Sequence, residues 1–355
     1  MIEPLDAVQL PPFYCPLESH IHPRVRLVEQ RALQWLRTCG MCATDAEYRR
    51  AAGSRSVDFY GRFVPSAGDE HLLATALWVY WGFAFDDARC DDGPLSTRPS
   101  EFNALAGRVQ RALEAPSARD PAERYVAPLQ DIANRFRSLG TPTQFSRFAA
   151  AHRAWLSGVS WQIGSRSLGR MPSLDEYLAM RLLSSGGEPT FAMVELALGM
   201  EVPAAEMHRP AVRALTEMAI MVAALDNDRH SLHREIGEGQ DINVYNVLTH
   251  GTGLSVREAV TAAAGLRDRV LTRFLVLSEQ VNARAGVELR AYLRGLGHGI
   301  RGNIEWASRV PRYHAGEAGP AKDDSTLPVC VDAPADATKG PVPAPSVAWW
   351  WDDLA

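Results

Sequence analysis

The sequence contains few cysteines, and their arrangement does not suggest a common use. The five of them, an odd number in a chain of 355 residues, are scattered as Cys15, Cys39, Cys42, Cys90 and Cys330, which argues against a disulfide framework. Two of them form a C-x-x-C spacing in TCGMC, but no second pair or suitably spaced histidines complete a zinc site. Because TCGMC ends a helical pattern, we interpret it as a helix end without redox function.

Other signals are missing too. The N-terminal stretch MIEPLDAVQLPP carries acidic residues and has no apolar core, so we do not expect a signal peptide. No apolar run approaches the roughly 18 residues of a membrane-spanning helix. A net charge of −5 and a pI of about 6.1 give no electrostatic footprint for nucleic acid. The expected location is the cytoplasm, with no nucleic-acid partner and no membrane span.

Strand alternation bounded by hairpin turns is also absent, and helical periodicity takes its place. The helical stretches are rich in Ala, Leu, Arg and Glu, which favour helices. Ser173 precedes one such stretch, and Ser255 with Glu258 has the spacing of a capping box. The pattern predicts an all-α fold of about ten or more helices.

The composition changes after His314. Residues 315–355 are rich in Pro, Ala, Gly and Asp and contain few bulky side chains. Such a segment buries little surface, so we predict a disordered C-terminal tail. It ends in WWWDDLA, whose tryptophans Trp349, Trp350 and Trp351 would dock on a partner or on the domain, or have no function.

The stretch FAFDDARCDDG (83–93) places several carboxylates at the end of the apolar run LLATALWVYWGFAF. Asp87 and Asp91 are four residues apart, with Asp86 beside them, so on a helix these like charges repel unless a cation bridges them. Carboxylate oxygens suit Mg²⁺, which also binds substrate phosphates. A solvated acidic surface is the plainer alternative, but the position directly after a buried run favours a metal site.

A second polar stripe lies in ALDNDRHSLHREIGEG (224–239). Asn227, Ser231 and Glu235 recur every four residues, so an amide, a hydroxyl and a carboxylate line one side of a helix. The preceding stretch MAIMVAAL is apolar, so this helix also ends in a row of oxygen ligands. We therefore predict a second metal-binding segment.

These two segments resemble the metal-binding motifs of microbial class I terpene synthases. DDARCD is similar to their aspartate-rich motif, and NDRHSLHRE to their Asn-Asp-x-x-Ser-x-x-(Lys/Arg)-Glu triad. Arg181 in EYLAMRLLSSGG matches the arginine that senses diphosphate, and Arg312-Tyr313 matches the C-terminal Arg-Tyr pair. The resemblance runs from about PFYCP (12–16) to RYH (312–314).

The resemblance implies that residues 1–314 form a single helical-bundle domain with a central apolar pocket, three Mg²⁺ ions at its mouth and a prenyl diphosphate as substrate. A homodimer is consistent with it. The metal ligands it implies are Asp86, Asp87, Asp91, Asn227, Ser231 and Glu235. The diphosphate contacts it implies are Arg181, Arg234, Arg312 and Tyr313. Phe83 and Trp306 are candidates for the pocket wall, where aromatic faces stabilise a carbocation.

The sequence departs from the family after Arg181. The positions of the family's linker and effector residues hold Ser184 and Ser185, with Gly186 one residue further. The effector carbonyl therefore belongs to Ser185 or to Gly186. Gln162 stands where relatives often have glutamate.

The implied reaction is Mg²⁺-dependent ionisation and cyclisation of a linear prenyl diphosphate by a terpene synthase, a lyase. Farnesyl diphosphate is expected from the family's usual substrates, and geranylgeranyl diphosphate is the alternative. A chain-elongating prenyltransferase is disfavoured because it needs a second aspartate-rich motif. A non-catalytic helical binding protein would not need intact metal motifs, and a di-iron bundle would need Glu-x-x-His pairs, which the sequence lacks.

Overall fold

The computed structural model describes residues 10–91, 93–115, 120, 122–237, 242–313, 328–334 and 338–355, with the backbone alone for residues 233–237. Helices make up most of this chain, which confirms the predicted all-α class. The helices are α1 (Val25–Thr38), α2 (Asp45–Gly53), α3 (Ser56–Phe63), α4 (Asp69–Asp86), α5 (Pro99–Glu114), α6 (Val126–Leu139), α7 (Pro142–Ser167), α8 (Leu174–Ser184), α9 (Gly187–Leu198), α10 (Ala204–Met207), α11 (Pro210–Gly237), α12 (Val244–Thr252), α13 (Val256–Asn282), α14 (Val287–Ala307) and α15 (Pro345–Ala348). The short elements are a π-helical turn (Asp87–Asp91), 3₁₀ turns (Pro311–Tyr313 and Trp349–Trp351) and the strands β1 (Phe13–Tyr14) and β2 (Cys330–Val331).

Helix α4 lies in the middle of the bundle. Every residue from Leu72 to Trp81 is buried, as a helix that is apolar all round requires. It packs against α1, α3, α6 and α9. Because α4 ends at Asp86, its buried run leads directly to the acidic segment.

The predicted helix starts at Ser173 and Ser255 are confirmed. Each hydroxyl accepts the backbone N–H three residues on, and the glutamate at that position bonds back to the backbone N–H of the serine. These glutamates are Glu176 and Glu258, whose carboxylates accept from the serine N–H groups, so both starts are complete capping boxes. The first of them fixes the start of α8, which carries Arg181.

A sharp break separates α8 from α9. Gly186 has a φ of 74°, a left-handed conformation that glycine adopts without strain. On the other side of α8, a Cβ at Gly158 would lie 2.4 Å from the Cβ of Leu183, so glycine allows α7 to approach the end of α8 closely. The break is thereby held against α7, facing the centre of the bundle.

The disordered tail predicted for residues 315–355 is wrong for the parts that the structure describes. Cys330 and Val331 pair in parallel with Phe13 and Tyr14, and residues 338–355 pack on α8, α11 and α13. The reason is that the tail carries a few apolar anchors, among them Val347 and Trp350, which are fully buried. The composition of the segment as a whole concealed these anchors. Residues 315–327 and 335–337 lie outside the described residues.

Within the described ranges, no helix combines the length and the hydropathy that a membrane crossing requires.

Candidate active site

Two connected cavities lie at the end of the bundle where α4 and α11 reach their polar segments. The inner cavity has an empty volume of about 740 Å³, including its open mouth, and is lined mainly by apolar and aromatic side chains. The outer cavity, of about 700 Å³, is lined mainly by polar and charged side chains. Both cavities are lined by Phe83, Asp86, Ser185, Asn227 and Tyr313, so these residues form the border between them.

The acidic segment forms a π-helical turn, Asp87–Asp91, directly after α4. Asp86, the last residue of α4, and Asp91, the last residue of the turn, both line the outer cavity. Burial, and next the charge of Asp91, raise the pKa of Asp86 well above its ordinary value. The spacing on a helix predicted that Asp87 and Asp91 lie close together, with Asp86 beside them; among these three, Asp87 does not line the outer cavity.

Asp87 instead binds arginines. Its Oδ1 lies 2.6 Å from Arg312 Nη1, and its Oδ2 accepts from Arg50 Nε at 2.9 Å. Burial alone would raise the pKa of Asp87, but Arg312 and Arg50 lower it below its usual range. The Arg312 guanidinium also lies 4.9 Å from the centre of the Phe83 ring.

On the opposite wall, Arg181 is held by two residues of α11. Its Nη2 donates to Asn227 Oδ1 at 2.9 Å, and its Nε donates to Asp228 Oδ1 at 3.1 Å. Asp228 is almost fully buried and also accepts from the Tyr177 hydroxyl and from the Val244 backbone N–H. The guanidinium therefore faces the outer cavity in a fixed orientation.

The remaining predicted residues of this wall lie in different environments. The Tyr313 hydroxyl accepts from Asn227 Nδ2 at 2.6 Å, which joins the Arg-Tyr pair to α11. Ser231 is fully buried, and its hydroxyl donates to the backbone carbonyl of Asn227 at 2.9 Å. The side chains of Arg234 and Glu235 lie outside the described residues.

The two candidate effector carbonyls, of Ser185 and Gly186, differ in their hydrogen bonds at the break between α8 and α9. The Gly186 carbonyl accepts from the hydroxyl of Thr190 at 2.8 Å and from its N–H at 3.3 Å. The Ser185 carbonyl would reach residue 189 in a regular helix, but Pro189 has no N–H to donate. Beside it, the hydroxyl of buried Ser184 lines the outer cavity without a hydrogen-bond partner in the described part of the chain.

Aromatic side chains dominate the wall of the inner cavity. Phe83 and Trp306 both line it, stacked at 5.4 Å between ring centres. The Trp306 indole N–H donates to the Ser54 carbonyl at 2.7 Å, which fixes the ring. The other aromatic rings of this wall are Phe59, Phe63, Trp78, Trp155, Phe191 and Tyr313.

Sequence reasoning missed several of these residues. On α4, Trp78 and Gly82 precede Asp86 by eight and four residues, and on α11, Ala223 precedes Asn227 by four. Residues four and eight positions before a motif residue lie near the same face of a helix, so this spacing would have found them. Nothing comparable pointed to Phe59 or Trp155, which come from α3 and α7 and reach the cavity only through tertiary packing.

The donor set fits Mg²⁺. Two repelling carboxylates, Asp86 and Asp91, share one wall of the outer cavity, and the amide of Asn227 lies on another; oxygen ligands of this kind suit a hard divalent cation. Among the described side chains, no three carboxylates, thiols or imidazoles already form a metal-binding group. The ligands are therefore distributed around a space, which suits a metal that binds together with a phosphate.

Comparisons with known proteins agree with this geometry. Residues 77–273 match the family model "Terpene synthase family 2, C-terminal metal binding". Spiroviolene synthase from Streptomyces violens is 61% identical over 98% of this chain and 98% of its own length. The crystal structure of the SVS_A2 protein from ancestral sequence reconstruction is 62% identical, with a TM-score of 0.89 over 97% of this chain and 99% of that chain.

A more distant structure shares the fold. It is 2-methylisoborneol synthase from Streptomyces coelicolor A3(2), solved in complex with Mg²⁺ and 2-fluoroneryl diphosphate, with 20% identity and a TM-score of 0.78 over 86% of this chain and 98% of that chain. The family match covers both polar motifs, at the end of α4 and on α11. The chain therefore belongs to the terpene synthase family and is a metal-binding lyase of that family.

Proposed function

We propose that this enzyme ionises and cyclises geranylgeranyl diphosphate with release of diphosphate. The observation that carries the proposal is the arrangement of the two cavities. Arg181 and Arg312 face a polar compartment that opens directly onto an aromatic cavity. A prenyl diphosphate has the same division, with a charged head and an apolar chain.

The inner cavity leaves room for the longer of the two expected substrates. At about 30 Å³ for each chain carbon, the share of a water molecule in the liquid, a twenty-carbon chain needs roughly 600 Å³ and a fifteen-carbon chain roughly 450 Å³. The volume of about 740 Å³, which includes the open mouth of the cavity, exceeds what either chain needs. Small residues on α4 and α11 make this room, among them Gly82, Ala223 and Ala224. The proposal takes up geranylgeranyl diphosphate, the alternative, in place of the farnesyl diphosphate expected from the sequence.

The polar residues would bind and orient the diphosphate. Arg181 and Arg312 are planar, permanently charged donors that contact phosphate oxygens in pairs. Tyr313 lies beside them with a hydroxyl group, and Arg234 is a further predicted contact. Because their partners already fix both arginines, they stabilise the charge that develops on the leaving group with little reorganisation.

Asp86 and Asp91 would hold Mg²⁺ on one side, with Asn227, Ser231 and Glu235 on the other. Bound Mg²⁺ supplies Lewis-acid neutralisation of the diphosphate charge. The Ser231 hydroxyl would have to turn away from the carbonyl of Asn227, a change that side-chain rotation permits. Three ions are part of the proposal, and titrating Mg²⁺ with inorganic diphosphate present would count them.

Within the inner cavity, the side chains would exclude water and shape the chain. The ring faces of Phe83 and Trp306 lie next to the border with the polar cavity, where positive charge first forms. Each such face stabilises a cation by about 0.5–2 kcal/mol. We assign the effector role to the Ser185 carbonyl, because Pro189 leaves it without a helical donor whereas Thr190 binds the Gly186 carbonyl.

The test is incubation with geranylgeranyl or farnesyl diphosphate and Mg²⁺, followed by mass spectrometry of extracted hydrocarbons. We expect a twenty-carbon cyclic product, and no product when excess chelator removes the metal. Asp86→Ala should abolish turnover with an unchanged circular dichroism spectrum. The control is Glu279→Gln, which alters an exposed carboxylate on α13. Full activity of Asp86→Ala, or turnover of farnesyl diphosphate alone, contradicts the proposal.

A further inference from the structure

The C-terminal segment, residues 338–355, contacts α8, which carries Arg181, and α11, which carries Asn227. At its start, the Ser346 backbone N–H donates to Asp175 Oδ1 in the first turn of α8, at 2.8 Å. Further on, the Trp350 indole N–H donates to Glu217 Oε2 on α11, also at 2.8 Å. The Trp350 side chain is fully buried, so this hydrogen bond is shielded from water. One short segment therefore joins α8 to α11.

Helix α13 fixes the segment from outside. Arg273 donates to the Trp350 carbonyl at 2.7 Å and to the Asp352 carbonyl at 2.9 Å. Arg269 donates to the Pro341 carbonyl at 3.2 Å. Because both ends of the segment are held, Trp350 has little freedom to leave its position.

A series of hydrogen bonds and ion pairs connects Trp350 to the active site. The other oxygen of Glu217 accepts from Arg213 Nε at 2.6 Å, and Arg213 Nη2 donates to Glu188 Oε1 at 2.9 Å. Glu217 and Glu188 are 8% and 9% exposed. Glu188 lies in the first turn of α9, two residues after Gly186. This series of contacts therefore reaches the break between α8 and α9, where Ser185 lines both cavities.

We propose that Trp350 is a positioning residue for this enzyme, acting through Glu217, Arg213 and Glu188 on the break between α8 and α9. The inference rests on the proposed function in one respect: the break matters to catalysis because it presents the Ser185 carbonyl and carries Arg181 on the preceding turn. A carboxylate that accepts two hydrogen bonds keeps Arg213 directed at Glu188. Without the indole N–H, Glu217 is left with one buried oxygen unpaired and is free to shift.

The experiment compares Trp350→Phe with Trp351→Phe. Both keep an aromatic ring, but only the first removes a hydrogen bond to Glu217, since the Trp351 indole N–H donates to the Lys339 carbonyl at 3.1 Å. The readouts are hydrogen exchange of the backbone amides of residues 184–190, and kcat, KM and product ratio with geranylgeranyl diphosphate and Mg²⁺.

For Trp350→Phe we expect faster exchange in residues 184–190, about tenfold lower kcat with little change in KM, and a larger share of side products, because a small displacement of a positioned group is costly in rate. Trp351→Phe should match the wild type. Should Trp350→Phe fail to fold, Glu217→Gln makes the same test, since it keeps an acceptor for Trp350 but removes the charge that holds Arg213.

A lower melting temperature with unchanged exchange at residues 184–190 and an unchanged product ratio overturns the proposal, because the tail would then only stabilise the fold. The exchange measurement needs no substrate. It therefore tests the role of Trp350 even if the enzyme turns over neither prenyl diphosphate, a result that would overturn the proposed function alone.

Discussion

Arg312 and Asp87 form a buried ion pair that joins the end of the helical domain to the acidic segment after α4. Arg312 Nη1 lies 2.6 Å from one carboxylate oxygen and 2.8 Å from the other. The guanidinium also covers one face of Phe83. The pair brings together residues that are 225 positions apart in the chain.

Arg312→Lys tests whether this geometry matters for activity. Lysine keeps the charge but cannot bind both oxygens of Asp87 and stack on Phe83 in the same way. We expect kcat/KM to fall about a hundredfold, the effect of removing one aligned donor, with an unchanged circular dichroism spectrum. Arg309→Lys, a conservative change three residues earlier in the chain that lines neither cavity, is the control. Equal activity of Arg312→Lys and the wild type would argue against a diphosphate role.

Asp228→Asn tests the orientation of Arg181. The variant keeps the size of the side chain but loses the charge that attracts the guanidinium. We expect about a hundredfold lower kcat, since Arg181 would no longer be held toward the outer cavity. The control is Asp226→Asn on the same helix, which loses a buried pair with Arg267 outside the two cavities. Asp226→Asn should lower the free energy of unfolding and spare kcat; the reverse pattern would contradict this prediction.

Gly82→Ala tests the size of the inner cavity. An added Cβ would lie 3.8 Å from the Trp78 ring, an ordinary contact, so the variant should fold. The methyl group narrows the cavity, and a pocket change of this size alters selectivity about tenfold or more. We expect the ratio of kcat/KM for geranylgeranyl to that for farnesyl diphosphate to fall by about that factor. Gly107→Ala on α5, where an added Cβ has no neighbour within 4 Å, is the control. An unchanged ratio in Gly82→Ala would show that Gly82 does not limit the space for substrate.

His152 gives a prediction for stability at acid pH. The ring is fully buried among aromatic side chains, its Nδ1 is bonded to Gln110, and burial lowers its pKa to about 3. The unfolded chain binds a proton at this residue near pH 6.5, whereas the folded chain does not until about pH 3. The unfolded state thus binds more protons between these values, and stability falls as the pH is lowered, by about 1.4 kcal/mol per pH unit from this residue.

His152→Asn should remove this contribution while leaving a side-chain amide near Gln110. We expect the difference in unfolding free energy between wild type and variant to shrink as the pH falls from 6 to 4. Urea titrations at several pH values measure it, with the exposed His250→Gln as control. A difference that is independent of pH would show that His152 titrates alike in the folded and unfolded protein, against the lowered pKa.

The polar motifs could be predicted because each is local. Asn227 and Ser231 lie one turn apart on any helix, and the apolar runs before them and before Asp86 were visible in the sequence. The two candidate wall residues, Phe83 and Trp306, followed from proximity to those motifs in the sequence. Helical phase could have added Trp78 and Gly82.

Other features depend on contacts that periodicity does not report. Asp87 pairs with Arg50 and Arg312, which come from distant parts of the chain. The order in the tail depends on Trp350 meeting Glu217. Composition, averaged over the segment, indicated disorder.

The sequence by itself determined the helical class and the two oxygen-ligand segments, because helix formation and ligand chemistry depend on residue type and short spacing. Only the tertiary structure decided which carboxylates line the outer cavity, how large the apolar cavity is and where the C-terminal segment docks. These are set by packing between distant segments, where a single glycine, arginine or tryptophan selects among arrangements that local patterns allow equally.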